Sequence, residues 1–331
     1  MPDLRLSMAV SRNPMTEPIL ASRVRPQGVD WQVSALHPSE MFWRQLRYRE
    51  FDISEMSLSS LAIAVSRGNR DWTAIPVFTT RRFFHTQILV RAEAGIRQPT
   101  DLIGRRVGVP EYQQTAAVWA RGALAHEFGV RPADLRWFME RPPERSHGGT
   151  RFQPPPDVEL SYIAPDTNIG DMLTRSELDA ALVYLADRNL VDRSRTAVPA
   201  LSNVRLLFSN PVAEGIRYYR KTSLLPVNHV VVLRTELAAR HPWLALNLYA
   251  AFAEAKRLAT EPLADLLHPW LQLGLLPADL PGSLREADPL PYGLAGQQGV
   301  LDELGLYLAE QGLTAGPVQM TGLFTASALD L

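Results

Sequence analysis

The side chains best equipped for chemistry in this sequence are two arginines, two histidines and a glutamate placed at the ends of apolar runs. Arg81 and Arg82 close the run TTRR that follows the apolar stretch 74–78. A guanidinium fork matches a carboxylate with parallel N–H donors, so the pair reads as an anion clamp; solvent, Glu55 or Glu111 are the alternative partners. His85 precedes Gln87-Ile88-Leu89-Val90, and His229 heads Val230-Val231-Val232-Leu233. These two β runs are natural partners. Pairing them would set both imidazoles near the floor of one cleft, where a pKa close to neutrality suits proton transfer. Glu111 opens the polar run Tyr112-Gln113-Gln114-Thr115, between a short apolar strand at 106–109, stopped by Pro110, and a helix that continues to Leu124. The first N–H groups of such a helix lack internal partners and the macrodipole is positive there, so the junction reads as half of a carboxylate-binding cleft; Gln114 and Thr115 serve equally as helix caps. Glu111 reads as a carboxyl of raised pKa, as the group that orients a histidine, or as a partner of the helix dipole.

Glu55, Ser57 and Ser60 occupy the equivalent junction in the run SEMSLSSLAIAV, where the serines either cap the helix or donate to an anion. Arg12, His37, Glu214, Tyr218 and Tyr219 are secondary candidates. His147 lies in a Gly-rich loop and is placed to close over a bound molecule, whereas His126, His241 and His268 fall in or beside helices without partners and read as structural. The sequence has no His-Glu-x-x-His helix, phosphate-binding Walker loop, Gly-x-Gly-x-x-Gly turn or Gly-x-Ser-x-Gly elbow. Its spacing asks for no metal.

The elements that must position these residues alternate. Strands at 4–10, 29–36, 51–54 and 74–78 are separated by helices at 14–24, 39–49, where Ser39 can cap, and 54–65. Such alternation implies an α/β protein with a mainly parallel sheet covered by helices, and ligands then sit beyond the carboxyl ends of the strands. Those ends are Ser11-Arg12-Asn13, His37, Glu55-Met56-Ser57 and Thr79-Thr80-Arg81-Arg82, all polar. A β-rich run at 79–96 leads away from this sheet. The stretch 140–158 carries Pro142-Pro143 and Pro154-Pro155-Pro156 and reads as a functional loop; 178–184 turns into a buried strand. From His241 the pattern is helical, with a Pro/Gly-punctuated stretch at 262–293 and a last helix at 296–311. The expected division is a discontinuous first domain, residues 1–85 and 238–331, interrupted by a second domain, residues 86–237, through two crossing strands.

The bulk properties set limits on what the chain can do. Its 331 residues and 46% hydrophobic content suit two ordinary domains, and a formal net charge of -1 supplies no basic excess for nucleic acid or an anionic membrane surface. The absence of cysteine excludes disulfides, thiolate nucleophiles and Cys-built zinc sites. Residues 1–3 run straight into the first strand without an export signal, so the expected location is the cytoplasm. No apolar run approaches the roughly 20 residues needed to span a bilayer.

The stretch LVRAEAGIRQPTDLIGRRVGVPEYQQTAAVW, 89–119, resembles the strand, DLxGKxVGV turn and helix in the second domain of the type II periplasmic-binding-protein fold. More specifically, SEMSLSS, TTRRFFH, GVPEYQQTAAVWARG, AEGIRYYRKTSLLPVNHVVVLR, HPWLALNLYAAFAEAK, PYG and YLAEQGL together resemble the 4,5-dihydroxyphthalate decarboxylase family, over roughly residues 3–325. The family run Phe-Pro-Ile-Met-His reads Leu225-Pro226-Val227-Asn228-His229 here. The histidine is kept, and the resemblance leaves a different substrate side of that strand as the expectation. The resemblance implies a two-domain binding-protein-like fold and a cytoplasmic enzyme of aromatic catabolism. It would release CO2 from an ortho-dicarboxylated catechol, giving 3,4-dihydroxybenzoate, with no organic cofactor. It further implies that Arg82 and donors from Glu111 to Thr115 hold the carboxylates. One of His85 and His229 would take a phenolic proton, and the other, or Glu111, would protonate the ring carbon. Self-association is left open. The alternatives are a solute-binding protein that delivers an aromatic or sulfonated anion to an importer and, further off, a menaquinone-pathway lyase on the same fold.

Overall fold

Alternation in β1 (Leu4–Val10) sends Leu6, Met8 and Val10 to one face and Ala9 to the other. The first face packs on Leu244, Leu248 and Phe252 of the helix Trp243–Thr260, and the second on Met41 and Phe42 of the helix Pro38–Tyr48. The result is a sheet with helices on both faces, as a nearly parallel sheet requires. The computed structural model describes residues 3–197, 201–277 and 288–331. Part of the punctuated stretch at 262–293 therefore lies outside the described residues, while within it short helices form at Leu263–Leu266 and His268–Gln272.

The remaining strands are β2 (Val29–Ala35), β3 (Ile53–Ser57), β4 (Trp72–Arg81), β5 (Leu89–Arg91), β6 (Arg106–Val109), β7 (Arg136–Met139), β8 (Glu159–Tyr162), β9 (Ala180–Ala181), β10 (Val204–Leu206) and β11 (Val227–Arg234). They form two sheets, in the orders β2-β1-β3-β11-β4 and β10-β5-β9-β6-β7-β8. In the first, β1 runs parallel to β2 and β3, and β11 runs antiparallel to both β3 and β4. In the second, β6 to β9 are parallel and β5 is antiparallel to β9 and β10.

The expected pairing of the β11 run with Gln87–Val90 does not form. Val230 and Val232 belong to one apolar cluster while Val231 and Leu233 belong to another, so β11 needs cover on both faces and a neighbour on each edge. A three-residue β5 cannot supply that, whereas β3 and β4 do. Strand β11 thus lies in the first sheet, although the expected boundary at residue 237 grouped it with the inserted segment. A second difference concerns the helix Pro38–Tyr48. Its cap is His37, whose ring accepts from the Ser39 N–H, and not Ser39.

The helix Thr115–Phe128 joins the two halves. It is apolar almost all round, and Trp119 donates its Nε1–H to the Val227 carbonyl at 2.8 Å. Gly122 on this helix faces Tyr307 of the helix Gln298–Glu310, and a Cβ there would lie 2.0 Å from the ring. Gly122→Ala is therefore expected to cost about 1–3 kcal/mol, read from equilibrium denaturation, because neither fully buried group has room to move. No helix among the described residues is long and apolar enough to cross a membrane.

Candidate functional site

The carboxyl ends of β1, β3 and β4 and the amino end of antiparallel β11 meet at one edge of the first sheet. Opposite them stand the start of the helix Thr115–Phe128, Arg141 after β7 and the residues after β9. Between the two lies a cavity of about 1000 Å³. Among the described residues its charged lining is three arginines, Arg12, Arg82 and Arg141, against a single carboxylate, Asp187. That imbalance favours an anionic ligand.

On the first-sheet wall His229 pairs across the sheet with Ser57 on one side and Thr80 on the other. Its Nδ1 lies 3.3 Å from Glu55 Oε2, and its Nε2 lies 2.8 Å from the Asn228 amide nitrogen. Glu55 is fully buried and also accepts from Thr79 Oγ1 at 2.6 Å and from both the N–H and hydroxyl of Ser11 at 2.7 Å. Burial alone would push this carboxyl up, but the bonds from His229, Thr79 and Ser11 outweigh it and hold the pKa below the usual carboxylate range. An ionised Glu55 can only accept, so Nδ1 carries the hydrogen and Nε2 is the nitrogen left for exchange. The Phe42 ring stands edge-on to the imidazole, with centroids 4.7 Å apart.

The facing wall holds a second histidine in a different state. Arg141 lies 3.0 Å from His147 Nε2, and an arginine can only donate, so Nε2 accepts and Nδ1–H donates to Ser60 Oγ at 2.9 Å. Burial, followed by the nearby Arg141 and His229, lowers the His147 pKa well below 6.5. Arg141 is itself buried against Asp192 at 2.6 Å and donates to Ser39 Oγ. From Ser60 the hydroxyls run on to Ser57, Thr115 and Ser59, ending on the Gln113 carbonyl at 2.6 Å. With an obligate donor at one end and an obligate acceptor at the other, this chain has one direction. The Ser57 and Thr115 hydroxyl hydrogens are spent within it.

The sequence candidates separate accordingly. Arg12, Ser57, Arg82, Gln114, Thr115 and His229 line the cavity. Gln114 Nε2 is buried there with no partner among the described residues. Arg82 likewise has no ion-pair partner among the described residues, whereas Arg12 reaches Glu17 at 2.5 Å. Glu55 stands behind His229, and Ser60 supports His147. Glu111 orients no imidazole; it accepts the backbone N–H of His147 at 2.9 Å, and burial, partly opposed by Arg141, raises its carboxyl. Tyr112 and Gln113 are buried below the floor, Tyr112 under the Arg121 guanidinium at 3.8 Å.

Two further candidates, His85 and Arg81, point away from the cavity. Phe84–Gln87 is a 3₁₀ turn, in which residues three apart share a face; Phe84 and Gln87 line the cavity and His85 points away to Glu214, 3.1 Å off. The expected pair of cleft imidazoles is thus His229 with His147, and not with His85. Arg81 alternates with its lining neighbours Thr80 and Arg82, and its guanidinium bonds the Leu225 and Pro291 carbonyls and Gln297. Burial there lowers it to about 10. Of the secondary candidates His37 lines the cavity, Glu214 and Tyr218 pack around His85, and Tyr219 is exposed. His126, expected without partners, meets Glu310 at 2.6 Å. Sequence reasoning passed over Arg141, Gln87 and Asp192. Arg141 follows the carboxyl end of β7, so the strand-end rule could have found it; Asp192 carried no signal.

Among the described residues no group of three His, Asp or Glu side chains is arranged to hold a metal ion. No family model matches the chain. A curated relative from Comamonas testosteroni, named 4,5-dihydroxyphthalate decarboxylase, is 32% identical over 335 residues, covering 100% of this chain and 99% of that protein. A relative of the same name from Pseudomonas putida is 36% identical over 180 residues, 54% of this chain and 70% of its own length. Among solved structures, the alkanesulfonate-binding protein SsuA from Xanthomonas axonopodis pv. citri superposes with a TM-score of 0.58 at 15% identity, covering 98% of this chain and 99% of its own. The aliphatic sulphonate binding protein SsuA from Escherichia coli gives 0.54 at 14% identity, covering 98% of each chain. The architecture is that of the two-domain periplasmic-binding-protein fold.

Proposed function

The chain belongs to the 4,5-dihydroxyphthalate decarboxylase family, and from that premise we propose that its cleft releases one carboxyl group of an aromatic 1,2-dicarboxylate as CO2, converting 4,5-dihydroxyphthalate to 3,4-dihydroxybenzoate. The dianionic acid takes up one proton and yields CO2 and a monoanion. The new C–H bond forms at the ring carbon that carries the departing carboxylate, and the electron pair of the broken C–C bond restores the ring. A hydroxyl para to that carbon supplies electrons while the ring is protonated. One well-placed acid is therefore enough.

The observation that carries this reading is the Glu55–His229 pair at the cavity wall. Protonated at Nε2, His229 is the proton donor, and ionised Glu55 at Nδ1 stabilises the imidazolium and fixes the ring. His147 is unsuited to the same task, because the Arg141 guanidinium donates to its Nε2 and, with burial, opposes a second proton on the ring. Arg82 holds one carboxylate and Gln114 Nε2 donates to it, with Arg12 at the rim for the other. The Ser57 and Thr115 hydroxyls have no hydrogen to spare for a carboxylate.

The test is to incubate the purified protein, chelator-treated and without added cofactor, with 4,5-dihydroxyphthalate and to follow CO2 and 3,4-dihydroxybenzoate together. Stoichiometric release of both supports the reading. Tight binding with no CO2 would replace it by a solute-binding role. Arg82→Leu is expected to raise KM about 10–100-fold with a smaller change in kcat, since a charge-assisted bond is worth about 1.5–3 kcal/mol and this one is made to the substrate before the reaction as well as during it.

A further inference from the structure

His229 must alternate between two states if it donates a proton and recovers it, and its neighbour along β11 is built for both. Asn228 is mostly buried, lines the same cavity and places its amide nitrogen 2.8 Å from His229 Nε2. In the neutral ring Nε2 is a lone pair and accepts that amide N–H. Once Nε2 is protonated it becomes a donor, and an amide NH2 facing it would oppose donor to donor. A carboxamide resolves the conflict by turning about its terminal bond, because its other end is an acceptor of nearly the same size. No donor among the described residues bonds Asn228 Oδ1, and Nδ2 bonds only the imidazole, so the turn breaks no other contact.

We propose that Asn228 is a positioning residue for His229, a two-state amide that offers nitrogen to the neutral imidazole and oxygen to the imidazolium. The proposal rests on the assignment of His229 as proton donor. In the charged state the oxygen keeps the Nε2–H aligned at the cavity surface until the substrate carbon takes the proton, and the amide then turns back. A leucine would leave Nε2 unpartnered in both states, and an aspartate would hold only the protonated one. The charged and titratable groups around the ring are Glu55 at Nδ1, His147 and Arg141 on the facing wall, and Arg82 and His37 on the cavity lining. None of these bonds Nε2.

The experiment is a pH titration of the wild-type protein carrying ¹⁵N-labelled asparagine and histidine, followed by NMR without substrate. The Asn228 side-chain amide signals are expected to move with the same midpoint as the His229 ring nitrogens, and His229→Gln is expected to abolish that movement. Asn228→Asp is expected to raise the His229 midpoint by about one pH unit or more, as a carboxylate at Nε2 favours the imidazolium. In turnover it should carry the alkaline limb upward with it and lower kcat more than it changes KM. Amide signals that stay fixed while the imidazole titrates, or a midpoint unmoved in Asn228→Asp, would overturn the proposal. Because the titration needs no turnover, it stands apart from the decarboxylation assay: absence of CO2 would sink the catalytic reading and leave the amide result to be judged alone.

Discussion

Replacing His229 with Gln is expected to lower kcat by about 10²–10⁴-fold while leaving KM close to that of the parent protein. The range is that of a positioned general acid, because His229 is the cavity-wall imidazole whose charged form is supported by a buried carboxylate, Glu55. Glutamine keeps much of the imidazole's volume and can still donate to Glu55, so the carboxylate, which also holds Ser11 and Thr79, is not left unpaired. In the proposed reading substrate is held by Arg82, Arg12 and Gln114, none of which hydrogen-bonds His229. The matching control is His85→Gln, which removes an imidazole that lies outside the cavity and pairs with Glu214. Turnover per folded molecule is expected to be unchanged there. Initial rates over a range of substrate concentrations separate the outcomes, and equal losses in the two variants would return the acid role to the pair first expected from the sequence.

The largest effect on stability is expected from Asp192→Asn. Arg141 and Asp192 have side chains 1% and 0% exposed, so removal of the carboxylate leaves a buried guanidinium without its counter-ion. Breaking such a pair from one side costs about 3–5 kcal/mol. The loss is expected as a lower denaturant midpoint, with reduced turnover because Arg141 no longer holds His147. The same groups govern the response to acid. Burial would raise the Asp192 carboxyl, but Arg141 outweighs it and holds the pKa below 3.8, so its contribution is complete above that value and is lost as pH falls through the folded pKa. The His147 pKa is depressed below 6.5, so the unfolded ring takes a proton that the buried ring refuses, and stability falls as pH drops below 6.5. Glu111, with its carboxyl raised from 4.5, acts in the opposite sense. Equilibrium unfolding across this pH range should show a decline that starts as pH drops below 6.5, with the lowest part reduced in Asp192→Asn and the share of Glu55 remaining.

The polar strand ends were the most legible feature of the sequence. Ser11-Arg12, Ser57, Thr80 and Arg82 were placed at the cleft by strand alternation alone, and Gln114, Thr115 and His229 by local runs of residue type. Side-chain direction was harder to read. His85 and His229 look alike, each a histidine ahead of an apolar run, but the 3₁₀ turn Phe84–Gln87 rotates the first away, and a four-residue turn leaves no periodic signal. The position of β11 was hidden for another reason. A run of four apolar residues, Val230 to Leu233, states that both faces are buried without stating beside which strands. Arg141 and Asp192 find each other across 51 residues that include β8 and β9, each from a loop, and local spacing cannot report that.

The place of β11 in the middle of the first sheet has a consequence for the order of events during synthesis. Glu55 and His229 are 174 positions apart, so the ribosome has synthesised the whole segment between β4 and β11 before this pair can form. Until then β3 and β4 have no strand between them, and each presents an open backbone edge. A flexible linker of that length would make the return slow and entropically costly. A folded insertion shortens the search, since Arg81 at its entrance and Val227 at its exit are cross-strand partners. The second domain is thus a folding clip for the first as well as half of its cleft. Damage to it far from any ligand would surface as missing activity in the newly made chain, through a site never assembled.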